Sequence, residues 1–180
     1  MACSSHILTH VLSQGGVIAH QTDTVFGLAC LPHESSLQRL ARLKQRDRSR
    51  GFILLASHCD QLNDFIECTS QELEQLNSPQ ARPTTFLVNP KPQLPPSLTG
   101  QHSKIAVRLV EHVIVSKICQ QIGAIASTSC NLSQHDICNE ASACRTLFGP
   151  HLDYIETHSV SGSGQASRII DLSTQEILRA

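Results

Sequence analysis

The sequence predicts an α/β (α+β) fold in one domain over residues 1–180, built on a mixed sheet. Three observations predict it. Segments with a helical apolar period alternate with short β-rich runs, interrupted by one longer irregular stretch in the middle. No internal repeat and no linker divides the chain. With 180 residues, 40% of them hydrophobic, it is long enough for one sizeable core.

The elements follow in order. Ser4 or Ser5 is placed to cap a first helix with Ile7, Leu8, Val11 and Leu12 on its apolar face, and Gly15-Gly16 ends it. Residues 17–20 read as a short strand leading into Gln21-Thr22-Asp23-Thr24. A second helix fits 35–45, with Leu37, Leu40, Ala41 and Leu43 on one side. Phe52-Ile53-Leu54-Leu55 is a continuous apolar run, the mark of a strand buried on both faces. Residues 62–76 hold one or two short helices, after which Pro79 and Pro83 break the pattern. Residues 84–88 are β-rich, 89–96 form a proline-rich connection, and 105–110 form a further strand. A helix with Ile114, Val115, Ile118 and Ile122 turned inward comes next. A strand over 125–128 then runs into Ser129-Cys130-Asn131-Leu132-Ser133. Residues 140–148 have a helical pattern, and 167–172 form the last strand.

Composition narrows the function classes. Five Phe, one Tyr and no Trp leave the core to Leu, Ile, Val, Ala and Cys, with few aromatic platforms on which single-stranded RNA could stack. A net charge of −1 gives no global attraction for nucleic acid, so any anion site is local. No pair among the eight cysteines has the C-x-x-C spacing of a zinc or redox site. The N-terminus carries no leader pattern, and no segment is apolar enough to span a membrane. The expectation is a reduced, cytoplasmic protein whose cysteines fill its core. His6 and His10 stand four apart on a helix, a spacing that suits a metal, but a solvent-facing pair is the simpler reading.

Four features carry chemistry. Arg39, Arg42, Lys44, Arg46, Arg48 and Arg50 crowd into one stretch in which Asp47 is the lone acid. Cations at a helix C-terminus complement its dipole, but this run ends at Gly51, against a buried strand, in a chain only 16% charged. Such a local cluster suits a polyphosphate. Residues 127–133 form a hydroxyl-rich turn just past a strand end, where ligands of open α/β sheets settle. Residues 21–28 likewise follow a strand, and their Thr and Asp side chains either orient a small polar substrate or close a turn. Arg108 is a lone cation in an apolar strand, so it needs either an internal carboxylate or that of a ligand. A P-loop and a G-x-S-x-G elbow are both missing. Gly162-Ser163-Gly164 leads into a strand rather than a helix, which rules out a dinucleotide fingerprint.

In this order the segments resemble the YrdC-type family of threonylcarbamoyl-AMP synthases, in its short single-domain bacterial form. Residues 21–28 resemble its P-T-E-T-V-Y-G-L segment, Lys44-Gln45-Arg46 its K-x-R, and 51–55 its G-L-I-L stretch. Residues 105–108 resemble its A-V-R strand, 127–133 its S-T-S-A-N-x-S, and 167–171 its S-x-I-x-D. The chain departs from the family where Gln21 replaces Pro, Asp23 Glu, Phe26 Tyr and Cys130 Ala. The W-P-G-P-x-T segment survives only as Pro83 and Thr85, and the context after K-x-R differs at Arg48-Ser49-Arg50.

The resemblance implies a twisted mixed sheet with helices around a concave cleft. It implies the reaction of L-threonine, bicarbonate and ATP to threonylcarbamoyl-AMP and pyrophosphate. A separate transferase complex would then pass the threonylcarbamoyl group to tRNA. ATP-binding positions would be Lys44, Arg46, Thr85, Ser129, Asn131 and Ser167, with Lys44 and Arg46 also the catalytic cations. Thr22, Arg108 and Ser127 would hold threonine. Mg²⁺ would travel with ATP, since no carboxylate cluster is evident. The alternative from another class is a non-catalytic RNA-binding module using residues 39–50, with weak tRNA contact possible in either case. A sensing domain that keeps the pocket without turnover is a third reading.

Overall fold

Helix α1 (Ala2–Ser13) opens the computed structural model, which describes residues 2–133, 135–138, 140–157 and 164–180. Because the helix starts at Ala2, neither Ser4 nor Ser5 stands at its N-cap. Ile7 is 41% exposed, and the buried stripe is Leu8 and Leu12. The helix ends as expected. Gly15, at φ +79°, donates its N–H to Leu12 O while Gly16 donates to Val11 O. These are the paired bonds of a Schellman turn closed by a left-handed residue.

Strand β1 (Ile18–Gln21) pairs antiparallel with β2 (Phe26–Cys30). The second of these is absent from the sequence reading because Gly27 and Ala29 carry little strand propensity, yet all five of its residues are buried. Helix α2 (Glu34–Leu43) and strand β3 (Ile53–Ala56) match expectation. Between residues 59 and 77 there are a 3₁₀ turn (Cys59–Leu62), a short strand β4 (Ile66–Glu67) and one true helix, α3 (Ser70–Asn77). Thr69 and Glu72 close a reciprocal capping box on α3.

The connection over 89–96 is shorter than its prolines suggest. Strand β5 (Thr84–Pro90) runs through Pro90, and a one-turn helix α4 (Pro96–Thr99) starts at Pro96. The remaining elements are β6 (Ile105–Leu109), α5 (Val113–Ile122), β7 (Ile125–Ser129), α6 (Ala141–Phe148), β8 (Tyr154–Ile155), β9 (Arg168–Asp171) and β10 (Ile177–Arg179).

The sheet is mixed, as predicted, in the order β10-β9-β5-β6-β3-β7-β2-β1-β8, with β4 added beside β5. Parallel pairs are β1/β8, β3/β6 and β5/β9. Each face has its own apolar cluster. One joins Leu37 and Leu40 of α2, Cys144 and Phe148 of α6, and Leu28, Leu54, Val107 and Phe86 of the sheet. The other joins Leu8 and Leu12 of α1, Val115 and Ile118 of α5, and Ile18, Ala29, Leu55 and Ile125 of the sheet. Strand alternation puts His20, Gly27, Ser127, Ser129, Thr85 and Arg108 on this second face, outside that cluster. The face is therefore apolar under α1 and α5 and polar beyond them.

Candidate active site

The end of α2 decides where its cations point. Gln45 sits at φ +50°, Gln45 N–H donates to Arg42 O, and Arg46 N–H donates to Ala41 O. That is again a Schellman turn, here with a side-chain-bearing residue in the left-handed position. The reversal turns Lys44 and Arg46 inward while Arg39 stays at the surface, paired with Asp153 at 2.7 Å. Lys44 is only 1% exposed. Its Nζ donates to Ser129 O and, at 2.9 Å, to Asn131 Oδ1. Ser129 Oγ donates to the same Oδ1 at 2.7 Å, and Asn131 Nδ2 donates to His135 O at 2.7 Å. Ser133 N donates to Lys44 O at 3.2 Å, tying the loop to the helix end.

Arg46 donates from Nη2 to Gly51 O at 2.6 Å and from Nη1 to Thr128 Oγ1 at 3.3 Å, and its guanidinium lies 5.2 Å from the Phe52 ring centre. Its Nε is buried without a partner. Every acceptor named here is a neutral dipole, so neither cation has a carboxylate among those partners. Burial, with repulsion from Arg46, brings the Lys44 ammonium down to about 7. Arg46 falls only to about 10 by burial and stays charged.

The polar face that carries Arg108 is arranged differently. Arg108 is 4% exposed and forms an ion pair with Asp23, with Nη1 donating to Thr24 Oγ1 at 3.2 Å. Of the two partners left open by the sequence, the structure supplies the internal carboxylate. Thr22 Oγ1 donates to Val25 O at 2.8 Å and accepts from Thr24 N at 3.1 Å and Val25 N at 3.2 Å, so it closes the turn. Beside this pair opens a hollow of about 1000 Å³ whose lining includes Thr22, Asp23, Arg82, Thr84, His112 and Lys117. His112, the residue before α5, is 8% exposed and neither of its ring nitrogens has a partner. Burial lowers its pKa.

The structure thus brings Lys44, Arg46, Ser129 and Asn131 together, and Thr22 with Arg108 around Asp23 and Thr24. Ser127 Oγ meets His20 Nε2 at 3.2 Å. Thr85 Oγ1 meets Ser167 Oγ at 2.8 Å, and Arg179 holds Ser167 O. The hollow is lined by Thr84 rather than Thr85, and the Lys44 cluster is not part of its wall. Sequence reasoning missed His20 and His112. Their signal was faint: one polar residue closing an apolar strand, and one just before a helix. His6 and His10 are both exposed, and among the described residues no group of three or more His, Cys, Asp or Glu could hold a metal. Gly162 and Ser163 lie outside the described residues. No helix among the described residues is long and apolar enough to cross a membrane.

Known proteins resemble this chain at two levels, in sequence family and in fold. Residues 10–180 match the model of the Sua5_yciO_yrdC family, described as "Telomere recombination". A Threonylcarbamoyl-AMP synthase of Pasteurella multocida is 39% identical over 173 residues, covering 93% of this chain and 94% of that protein. One from Thiobacillus denitrificans is 35% identical, covering 94% and 91%. A crystal structure of P. abyssi Sua5 complexed with L-threonine has the same fold, with a TM-score of 0.88 at 24% identity over 96% of this chain and 52% of that one. E. coli YciO shares the fold with a TM-score of 0.81 at 17% identity, over 99% and 89%.

Proposed function

For a chain that belongs to the Sua5_yciO_yrdC family, we propose the activity of a threonylcarbamoyl-AMP synthase, a nucleotidyltransferase that makes threonylcarbamoyl-AMP and pyrophosphate from L-threonine, bicarbonate and ATP. One observation carries the assignment of residues. Lys44 and Arg46 are drawn inward onto neutral acceptors of the 128–131 segment, which leaves their charge for an anion. Attack at phosphorus needs alignment and charge neutralisation rather than a protein nucleophile. The threonine amine first adds to CO₂ derived from bicarbonate, losing a proton and giving a carbamate. A carbamate oxygen then attacks the α-phosphorus of ATP, and the bond to pyrophosphate breaks. Arg46 offers a planar fork and Lys44 a point charge to the triphosphate, with Ser129 and Asn131 around them. Thr85 of β5 and Ser167, just before β9, are the further nucleotide positions, and the hollow beside Asp23 has room for a small-molecule substrate. Thr22, Ser127 and Arg108 form the threonine end.

Mg²⁺ is expected to arrive on the triphosphate rather than on a cluster of protein carboxylates. Residues 1–180 act in this reading as one domain, working in the cytoplasm and handing product to a tRNA threonylcarbamoyl transferase complex. The deciding measurement is pyrophosphate release from ATP. It should require threonine and bicarbonate together, and release that ignores either one would sink the assignment. An RNA module would instead bind RNA with steep salt dependence and no response to threonine.

A further inference from the structure

His20 is the third residue of the short strand β1 and is completely buried. Both of its ring nitrogens are engaged: Nδ1 lies 3.2 Å from Gln21 O and Nε2 lies 3.2 Å from Ser127 Oγ. A carbonyl oxygen only accepts, so Nδ1 carries the proton. In the neutral ring Nε2 is then an acceptor, and the hydrogen of that contact comes from Ser127. Burial keeps the ring neutral, with a pKa of about 4, and the nearby His112 and Arg108 act in the same direction. Gly27 makes the approach possible. It stands between the two strands that carry the pair, and a Cβ there would lie 3.2 Å from both His20 Nε2 and Ser127 Oγ.

We propose that His20 is a positioning residue for the threonine subsite: it takes up the Ser127 hydroxyl hydrogen, so that Ser127 Oγ meets the ligand only as an acceptor and is set to hold a donor of the substrate, its nitrogen, and not its carboxylate. The inference rests on the synthase reading above and deepens it. The nitrogen of threonine bears at least one hydrogen as ammonium, as free amine and as carbamate. A fixed acceptor can thus keep hold of that atom through both half-reactions, whereas a freely rotating hydroxyl would also be able to donate to a carboxylate. Orientation by a neutral ring also leaves the subsite without an added charge.

The test uses the full-length protein. His20→Phe keeps the ring volume and removes both nitrogens, Ser127→Ala removes the hydroxyl, and His20→Gln returns an acceptor near the place of Nε2. Threonine affinity by calorimetry and KM should weaken roughly fivefold to tenfold in His20→Phe and in Ser127→Ala, with ATP affinity unchanged. The double variant should be no worse than either single one, and His20→Gln should recover much of the loss. Additive losses, or a Gln variant as poor as Phe, would overturn the coupling. In the unmodified protein, ¹⁵N resonances of the His20 ring should show a protonated Nδ1 and a bare Nε2; the reverse tautomer overturns the proposal without reference to activity. If Ser127→Ala leaves threonine affinity intact while pyrophosphate release still needs threonine, the subsite is misplaced but the synthase reading stands. If release never needs threonine, the synthase reading itself fails.

Discussion

Two buried cations approach the sheet from different sides, Lys44 from the end of α2 and Arg108 from within β6, and their surroundings differ in one respect. Arg108 has a carboxylate, Asp23, within its own fold. Lys44 has a main-chain carbonyl and an amide oxygen. A buried charge whose partner is an opposite charge is a structural unit, and removing one member leaves the other stranded. A buried charge held by dipoles is solvated yet not neutralised, so it still attracts an anion. The contrast separates a cation that maintains the site from one that is free to act in it.

The largest effect should come from the uncompensated pair. Lys44→Ala and Arg46→Ala should each lower adenylate formation at least about a hundredfold, with the chain still folded by circular dichroism. Near-normal turnover in either variant would erase the contrast. Arg108→Ala should invert the pattern. Stability should fall by about 1–3 kcal/mol in denaturant titration, discounted because Asp23 is 28% exposed, and threonine dependence should weaken. If its stability matches the parent protein, the Asp23 pair is not holding the loop.

A pH experiment sharpens the comparison further. Burial brings the Lys44 ammonium from its ordinary 10.5 down to about 7 in the folded chain. Between those limits the unfolded chain binds more protons, so this lysine makes stability rise with pH from about 7 toward 10. Lys44→Met should flatten that rise. ATP should restore the charge, so calorimetry at pH 8 in buffers of different ionisation enthalpy should reveal proton uptake that the Met variant lacks. The smallest effect concerns the turn that aims these groups. Gln45→Gly relieves a left-handed side chain and should stabilise by about 0.5–1 kcal/mol with kcat preserved. A loss of stability would mean that the Gln45 side chain contributes contacts of its own.

Much of this site was legible because its parts are local. Lys44 and Arg46 stand two apart at a helix end, and Ser129 and Asn131 follow a strand, so short-range chemistry marks them. Pairing across the sheet is not local. Nothing near Arg108 announces Asp23, which is why the sequence left a ligand carboxylate and an internal one equally open. Thr22 reads as a ligand-facing hydroxyl until the turn it closes is seen. The fold shows the same division. Long apolar runs such as residues 52–55 declare themselves, whereas β2 hides behind Gly27 and Ala29. The two- and three-residue strands β4, β8 and β10 are too short to show any period.

The interleaved strand order has a kinetic consequence. Strand β1 lies beside β8 and β5 beside β9, while β2, β7 and β3 meet in the middle. The groups that gather on the polar face therefore come from stretches scattered from residue 20 to residue 179. Residues 53–129 pair among themselves and carry Thr85, Arg108, Ser127 and Ser129, but His20, Gly27 and the segment after Ser167 join only through pairings distant along the chain, which form late. During refolding, recovery of ligand affinity should lag behind helix formation, making it a timer for the closing of the last ladder.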